Sequence, residues 1–175
     1  MAHLTGYGYL AMLPLLLNST TVLQDVWEPR RALQIVRDEN VSFSMASSPF
    51  VADLCGAVEA GDTSTARFNK FCCAGAPIPP VLIERARNVL GMRLCSAWGM
   101  TENHAFSTLN CPFRADKIGT VGKAGPGVEI RISDEGEILC RCDGMMLGYY
   151  KDPEHSAEAI DSDGWLHTGD MGKLD

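Results

Sequence analysis

The sequence predicts an α/β fold, in which a parallel sheet flanked by helices is followed by a small antiparallel, barrel-like β subdomain. Up to about Glu102, short apolar runs alternate with segments of helical periodicity, and this alternation is typical of a covered parallel sheet. Later in the chain the apolar period changes to two, which indicates antiparallel strands. We therefore expect an α/β subdomain at residues 1–113 and an antiparallel β subdomain at residues 114–175.

The α/β subdomain contains three predicted helices. Helical periodicity over residues 29–39 predicts the first, which Asn40 can end. Ser47-Ser48-Pro49 supplies a cap and a first-turn proline for the second. Pro79-Pro80 begins the third, and Gly91 can close it. Strands are expected between these helices at residues 21–23, 41–45, 71–73 and 92–97.

The antiparallel subdomain is predicted from a β-hairpin. Apolar and charged residues alternate over residues 128–132, the turn residues Asp134-Glu135-Gly136 follow, and apolar residues alternate again over residues 138–142. Further strands are expected at residues 118–123, 165–168 and 171–174. Together these strands predict a small sheet or partial barrel.

Composition excludes several classes of function. The chain has 175 residues, of which 46% are hydrophobic and 21% are charged, as in an ordinary folded domain. A formal net charge of −7 argues against a nucleic-acid partner that is held through its phosphates. The longest apolar run, residues 9–17, is interrupted by Pro14 and is shorter than the roughly 20 residues that span a bilayer, so no membrane span is expected. No oligomeric state is indicated.

The cysteines favour a reducing, cytoplasmic location. Seven cysteines are present, and neither Cys72-Cys73 nor the Cys140-x-Cys142 pair has the Cys-x-x-Cys spacing of zinc and redox sites. We therefore expect buried free thiols rather than disulfides or a metal centre.

Two motifs carry the candidate chemistry. The first is Ser96-Ala97-Trp98-Gly99-Met100-Thr101-Glu102, and the second is Gly164-Trp165-Leu166-His167-Thr168-Gly169-Asp170. An aromatic face can cover a purine, a hydroxyl can reach a phosphate oxygen, one carboxylate can hold magnesium, and another can accept both ribose hydroxyls. The two motifs therefore predict an ATP site distributed over two loops.

These motifs resemble the aromatic-Gly-x-Thr-Glu and Trp-x-x-Thr-Gly-Asp signatures of the adenylate-forming, AMP-binding enzymes, which include acyl-CoA synthetases, luciferases and peptide-synthetase adenylation domains. Three other segments are similar to family elements: His3 with Gly6-Tyr7-Gly8, the turn Gly75-Ala76-Pro77, and Gly136-Glu137 with the downstream Gly144-to-Tyr149 run. Within the family, the sequence looks most like ligases for cyclohexanecarboxylate and medium-chain fatty acids. The resemblance implies the fold of part of the family's large N-terminal domain.

The resemblance also implies roles for individual residues. Thr101 and Glu102 would be catalytic, with Glu102 as the Mg ligand. Trp98, where the family more usually has Tyr, would cover the adenine, and Asp170 would take the ribose hydroxyls. The implied nucleotide-binding set is Gly75, Ala76, Pro77, Trp98, Gly99, Met100, Thr101 and Asp170, and the implied acyl pocket is His3, Gly75 and Gly99.

The implied activity is that of an acid-CoA ligase. It would activate a carboxylic acid with Mg-ATP as an acyl-AMP and then transfer the acyl group to coenzyme A. The family's Ser/Thr/Gly-rich phosphate loop ending in Pro-Lys-Gly and its lysine-bearing C-terminal domain have no match in the sequence. The resemblance therefore identifies an internal fragment of a longer enzyme, inactive by itself. Gly61-Asp62-Thr63-Ser64-Thr65 is a poor match to the phosphate loop.

Other interpretations stay open. The chain could be a non-catalytic module that binds nucleotide and acyl group, or part of an enzyme that adenylates aryl acids or amino acids. A hydrolase is disfavoured because the sequence lacks a Gly-x-Ser-x-Gly elbow. Thr101 and Glu102 could be a helix cap and a first-turn acid, and Asp170 a turn residue. His104 is a weaker candidate than any of these.

Overall fold

The structure, a computed structural model, describes residues 3–62, 70–104, 106–110, 117 and 119–175. The chain divides into two compact units. The first unit comprises Met1–Ala97 and Asn110–Gly122, and the second comprises Trp98–Leu109 and Lys123–Asp175. The units therefore interleave along the sequence, since one segment of each lies within the sequence span of the other.

The first unit begins with a helical segment that contains a π-helical turn. Helix α1 (Leu4–Gly6) continues into the π-helical residues Tyr7–Met12 and then into α2 (Leu13–Leu17). His3 caps the start, because its Nδ1 accepts a hydrogen bond from the Thr5 N–H at 3.2 Å. No helix in the described residues is long and apolar enough to cross a membrane.

All three predicted helices are present: α3 (Pro29–Asp38), α4 (Ser48–Glu59) and α5 (Pro80–Leu90). Each has a proline in its first turn, where the missing N–H costs no helical hydrogen bond. Gly91 ends α5 in the left-handed conformation, at φ 61°. One detail of the prediction was wrong: Ser47 occupies the cap position of α4, but its hydroxyl makes no capping hydrogen bond.

Parallel strands β1 (Phe43–Ala46), β2 (Lys70–Cys73) and β3 (Arg93–Trp98) lie between these helices, with β2 paired to both of the others. The strand predicted at residues 21–23 was wrong, because this segment forms no strand. The Thr21 hydroxyl instead donates to the Leu10 carbonyl at 3.1 Å. A short run that contains β-branched residues is not stabilised as a strand unless a neighbouring strand pairs with it.

The core of the first unit is apolar. It is formed by one face of each of the helices α3, α4 and α5, together with β2. Leu33 on α3 is 2% exposed, while Val51 on α4 and Ala86 on α5 are fully buried. The same cluster includes Cys55 and Cys73. The α/β fold class is therefore confirmed in its first part, since helices cover a parallel sheet.

The second unit is antiparallel, as predicted. Strands β4 (Thr108–Leu109) and β5 (Lys123–Ala124) pair with each other, and the predicted hairpin is formed by β6 (Val128–Ile132) and β7 (Glu137–Cys142). The third strand of that sheet, β8 (Leu166–Met171), pairs with β7 and has a bulge in its register.

Two other expectations for the second unit were wrong. Instead of separate strands at 165–168 and 171–174, one strand, β8, runs from Leu166 to Met171 through a bulge, and residues 172–174 form no strand. The strand expected at 118–123 includes Ile118, which lies outside the described residues, and residues 119–122 form no strand. Helix α6 (Pro153–Ala159), which the sequence analysis did not predict, precedes β8.

The cysteines in the described residues are free thiols, as expected. They are Cys55, Cys72, Cys73, Cys95, Cys140 and Cys142, whereas Cys111 lies outside the described part of the chain. Burial, with a smaller contribution from Cys95, raises the pKa of the Cys73 thiol to about 12. A thiol that stays protonated is a poor nucleophile, so Cys73 serves in packing.

Candidate functional site

A single hydrogen bond joins the two sequence motifs. The indole Nε1–H of Trp98, at the end of β3, donates to Oδ2 of Asp170 in β8 at 2.7 Å, although the two residues are 72 positions apart in sequence. Both belong to the second unit. The Asp170 Oδ1 atom accepts no hydrogen bond from the described residues and is free to accept others.

The loop after β3 is held in shape by a buried asparagine. Thr101–Asn103 forms one turn of 3₁₀ helix, and the Oδ1 of Asn103 accepts a hydrogen bond from the Met100 N–H at 2.8 Å. Asn103 is 1% exposed, and its Nδ2 has no nitrogen or oxygen partner among the residues that the structure describes. This side chain determines the course of the loop that carries Gly99 to Glu102. The sequence analysis missed Asn103, because a polar residue beside the Thr-Glu pair does not by itself indicate burial.

Glu102 is contacted twice by the segment from Gly144 to Tyr149, which lies between β7 and α6. Its backbone carbonyl accepts the Met146 N–H at 2.7 Å, and its Oε1 accepts the Tyr149 hydroxyl at 3.1 Å. Burial and, to a lesser extent, the hydrogen bond to Glu102 raise the pKa of the Tyr149 phenol, so this group stays a donor at neutral pH. The sequence analysis noted Tyr149 only as part of a family element and gave no sign that it reaches Glu102.

The geometry at Glu102 fits a magnesium ligand. Its Oε2 accepts no hydrogen bond from the described part of the chain and is an anionic oxygen, the donor type that Mg²⁺ prefers. The described residues contain no group of three or more metal-binding side chains. Magnesium in phosphate-transfer sites is usually held by one or two carboxylates together with substrate phosphates and water.

The Thr-Gly-Asp segment is fixed by contacts to β7. The Thr168 hydroxyl donates to the Ile138 carbonyl at 2.7 Å, and the Gly169 N–H donates to Oε1 of Glu137 at 2.8 Å. Glycine suits this position, since its φ is 71°. The Gly169 N–H and, less strongly, His167 hold the pKa of the Glu137 carboxyl below its usual value. Glu137 therefore supports the segment that carries Asp170.

The remaining predicted site residues lie in the first unit. Gly75, Ala76 and Pro77 follow β2 in an exposed turn, where Gly75 has φ 78°. A β-carbon at Gly75 would meet nothing within 4 Å, so the glycine is required by the backbone conformation and not by space. His3 is exposed and acts as the cap of α1.

The structure thus brings together Trp98, Gly99, Met100, Thr101, Glu102 and Asp170 in the second unit. Thr101 is exposed and Glu102 half-buried in the 3₁₀ turn. His104 adopts the left-handed conformation at the end of this turn, with φ 66°. The last part of the segment considered as a phosphate loop, residues 63–65, lies outside the described residues.

A parallel sheet covered by helices, with candidate ligand-binding residues at the end of one of its strands, is typical of nucleotide-binding α/β proteins. The model of the AMP-binding enzyme family matches residues 1–150, and the chain belongs to this family.

Relatives with known names are CoA ligases. The chain is 33% identical over 177 residues to a methyl-dioxo-octahydroindenyl-propanoyl:CoA ligase of Rhodococcus jostii, covering 99% of this chain and 34% of the relative. It is 31% identical over 189 residues to the medium-chain fatty-acid–CoA ligase of Escherichia coli, covering 100% of this chain and 33% of the relative. The chain therefore spans about a third of the length of these curated relatives.

A solved structure shares the fold over nearly the whole chain. It is the o-succinylbenzoate coenzyme A synthetase of Bacillus subtilis in complex with ATP and a magnesium ion, with 25% sequence identity and a TM-score of 0.85. The match covers 99% of this chain and 37% of the synthetase. The chain accordingly has the fold of part of an adenylate-forming enzyme.

Proposed function

We propose that this chain forms part of an ATP-dependent acid-CoA ligase. The carboxylate of the acid attacks the α-phosphate of Mg-ATP, which forms an acyl-AMP and releases pyrophosphate. The thiol of coenzyme A then attacks the acyl carbon and displaces AMP. Membership of the AMP-binding family and the CoA-ligase names of its relatives support this reaction class. The observation that links this reaction class to individual residues is the Trp98–Asp170 hydrogen bond.

In this proposal the nucleotide is held by the two joined motifs. The Trp98 ring covers the adenine, and the ribose hydroxyls donate to Asp170. The indole N–H already occupies Oδ2 of Asp170, which orients the carboxylate and leaves Oδ1 open. Gly99 and Met100 lie in the same loop as Thr101 and Glu102.

Catalysis in this proposal is mainly positioning and charge stabilisation. The exposed Thr101 hydroxyl contacts the α-phosphate, and Glu102 holds the magnesium ion. The chemistry that a bound magnesium ion would supply is neutralisation of phosphate charge. The hydrogen bonds from the Tyr149 hydroxyl to the Glu102 side chain and from the Met146 N–H to its backbone carbonyl support this role.

The proposed acid is a medium-chain or alicyclic carboxylic acid. The names of the two relatives support this class. One methylene group changes selectivity by only about 1–3 kcal/mol, so the acid has to be found by testing a panel. A cytoplasmic location is part of the proposal and is supported by the free thiols of the described residues.

We also propose that these 175 residues alone bind nucleotide weakly and make no thioester. No Pro-Lys-Gly phosphate loop is present in the sequence, and adenylation needs the triphosphate held in line with the acid. A misplacement of about 1 Å can cost a hundredfold in rate.

The test uses the full reading frame around this segment. The purified protein is assayed for pyrophosphate exchange that depends on added alicyclic, medium-chain or aromatic acids. Asp170→Ala should raise the KM for ATP about 10- to 100-fold, because ribose loses a charged acceptor worth roughly 1.5–3 kcal/mol. The matched control is Asp53→Ala, which removes a carboxylate that accepts an indole N–H in the first unit.

Two outcomes would contradict the proposal. If no acid supports pyrophosphate exchange, the chain does not belong to an acid-activating enzyme. If Asp170→Ala and Asp53→Ala have the same KM for ATP as the wild type, Asp170 is not part of the nucleotide site.

A further inference from the structure

The segment from Gly144 to Tyr149 is held against the Glu102 loop by close and polar contacts. A β-carbon on Gly144 would lie 3.2 Å from the His104 Cβ, so the glycine permits this close approach. The Met146 N–H and the Tyr149 hydroxyl both donate to Glu102. Leu147 between them is fully exposed, so apolar burial does not hold the middle of the segment in place.

The backbone of Tyr149 is held by contacts to the start of α6. Its backbone N–H donates to the Ser156 hydroxyl at 2.8 Å, and that hydroxyl donates in turn to the Asp152 carbonyl at 2.6 Å, at the start of α6. The preceding Gly148 has φ 137°, and a β-carbon there would lie 2.9 Å from the Ser156 oxygen. The phenol therefore projects from a fixed point of the backbone.

We propose that Tyr149 is a positioning residue for the magnesium ligand, holding Oε1 of Glu102 by its hydroxyl so that Oε2 faces the divalent cation. This inference rests on the role of Glu102 in the proposed function. A glutamate in a single 3₁₀ turn has several side-chain rotamers, and a donor on one oxygen selects among them. Partners of metal-binding carboxylates orient them in this way.

A packing role does not account for the contact. Tyr149 is 41% exposed, so burial of its ring does not dictate where the hydroxyl points. The next residue, Tyr150, is 88% exposed, and its ring lies 5.3 Å from the Lys151 ammonium. Of these two adjacent tyrosines, Tyr149 donates a hydrogen bond to Glu102, whereas the Tyr150 ring lies beside Lys151. They therefore form a pair for experiment.

The experiment compares Tyr149→Phe with Tyr150→Phe in the protein expressed from the full reading frame. Calorimetric titrations with ATP are made in saturating Mg²⁺ and in EDTA, and the ratio of the two affinities gives the contribution of the metal. Tyr149→Phe should reduce this ratio about tenfold and raise the Mg²⁺ concentration for half-maximal pyrophosphate exchange by a similar factor. Tyr150→Phe should change neither value, and neither variant should change AMP affinity in EDTA.

A double mutant separates orientation of Glu102 from any other role of Tyr149. In a Glu102→Gln background, Tyr149→Phe should have no further effect on the metal-dependent ratio. An additional loss in that background would overturn the inference, as would an unchanged ratio in Tyr149→Phe or an equal loss of AMP affinity in EDTA. The ratio is measured without added acid, so it tests Tyr149 even if no acid supports exchange and the proposed ligase activity fails.

Discussion

Each of the two units contains a hydrogen bond from an indole N–H to an aspartate. In the first unit, Trp27 donates to Asp53 at 2.9 Å, and the Trp27 ring packs edge-on against Phe50 at a centroid distance of 4.7 Å. In the second unit, Trp98 donates to Asp170 at 2.7 Å. Asp53 and Phe50 both belong to α4, so the first contact ties a loop to a helix. The second contact joins two sequence motifs. In this unit the same type of hydrogen bond therefore brings candidate site residues together.

The surroundings of the two contacts also differ. The first unit has an apolar core with fully buried side chains from three helices. In the second unit, hydrogen bonds hold the segments that carry Glu102 and Asp170: Asn103 accepts from the Met100 N–H, the Tyr149 hydroxyl donates to Glu102, and Glu137 accepts from the Gly169 N–H. The comparison teaches that the larger apolar cluster lies in the first unit, whereas polar contacts position the candidate site residues in the second. Mutations should separate these two properties.

The largest effect is expected in the apolar core of the first unit. Leu33→Ala should lower the free energy of unfolding by about 2–5 kcal/mol, because it removes buried methyl groups and leaves a cavity. Urea denaturation measures the change. The control Leu16→Ala, at a side chain that is 78% exposed, should stay within about 0.5 kcal/mol of the wild type. Equal effects of the two variants would show that this core does not stabilise the unit.

A smaller effect is expected from the pair of indole contacts. Trp98→Phe keeps an aromatic face but removes the donor to Asp170, so AMP affinity should fall about three- to tenfold, the equivalent of roughly 1 kcal/mol. Trp27→Phe removes the corresponding donor in the first unit and should leave AMP affinity unchanged. Calorimetric titration with AMP measures both. A similar loss in both variants would mean that the two contacts do not differ in function.

The smallest effect is a pH dependence in the second unit. The pKa of Glu137 is lowered in the folded protein, so its contribution to stability is present above its unfolded value of about 4.3 and is lost as the pH falls through the lower folded value. Glu137→Gln should therefore lower Tm by about 1–2 °C at pH 7, and the difference should disappear on acidification.

The control for this pH dependence is Glu84→Gln, at an exposed position of α5 in the first unit. Thermal unfolding from pH 7 to pH 3 should show no pH-dependent difference for that variant. A Tm difference for Glu137→Gln that persisted at pH 3 would contradict a role for the charged carboxylate.

Local patterns were sufficient to predict three of the helices and the hairpin. Helical periodicity with a first-turn proline predicted α3, α4 and α5, and alternation around a Gly-containing turn predicted β6 and β7. The strand predicted at residues 21–23 failed because strand formation needs a partner, which β propensity does not supply. Strand β8 was divided in two because a bulge cannot be inferred from alternation alone.

The sequence by itself determined the fold class and the two motifs, since periodicity, turn residues and residue chemistry are local properties of the chain. Tertiary structure alone decided which side chains meet. Trp98 reaches Asp170 across 72 residues and Tyr149 reaches Glu102 across 47, and both contacts depend on strand register and loop closure. The physical reason is that a hydrogen bond requires two atoms within about 3 Å of each other, and separation along the chain does not specify distance in space.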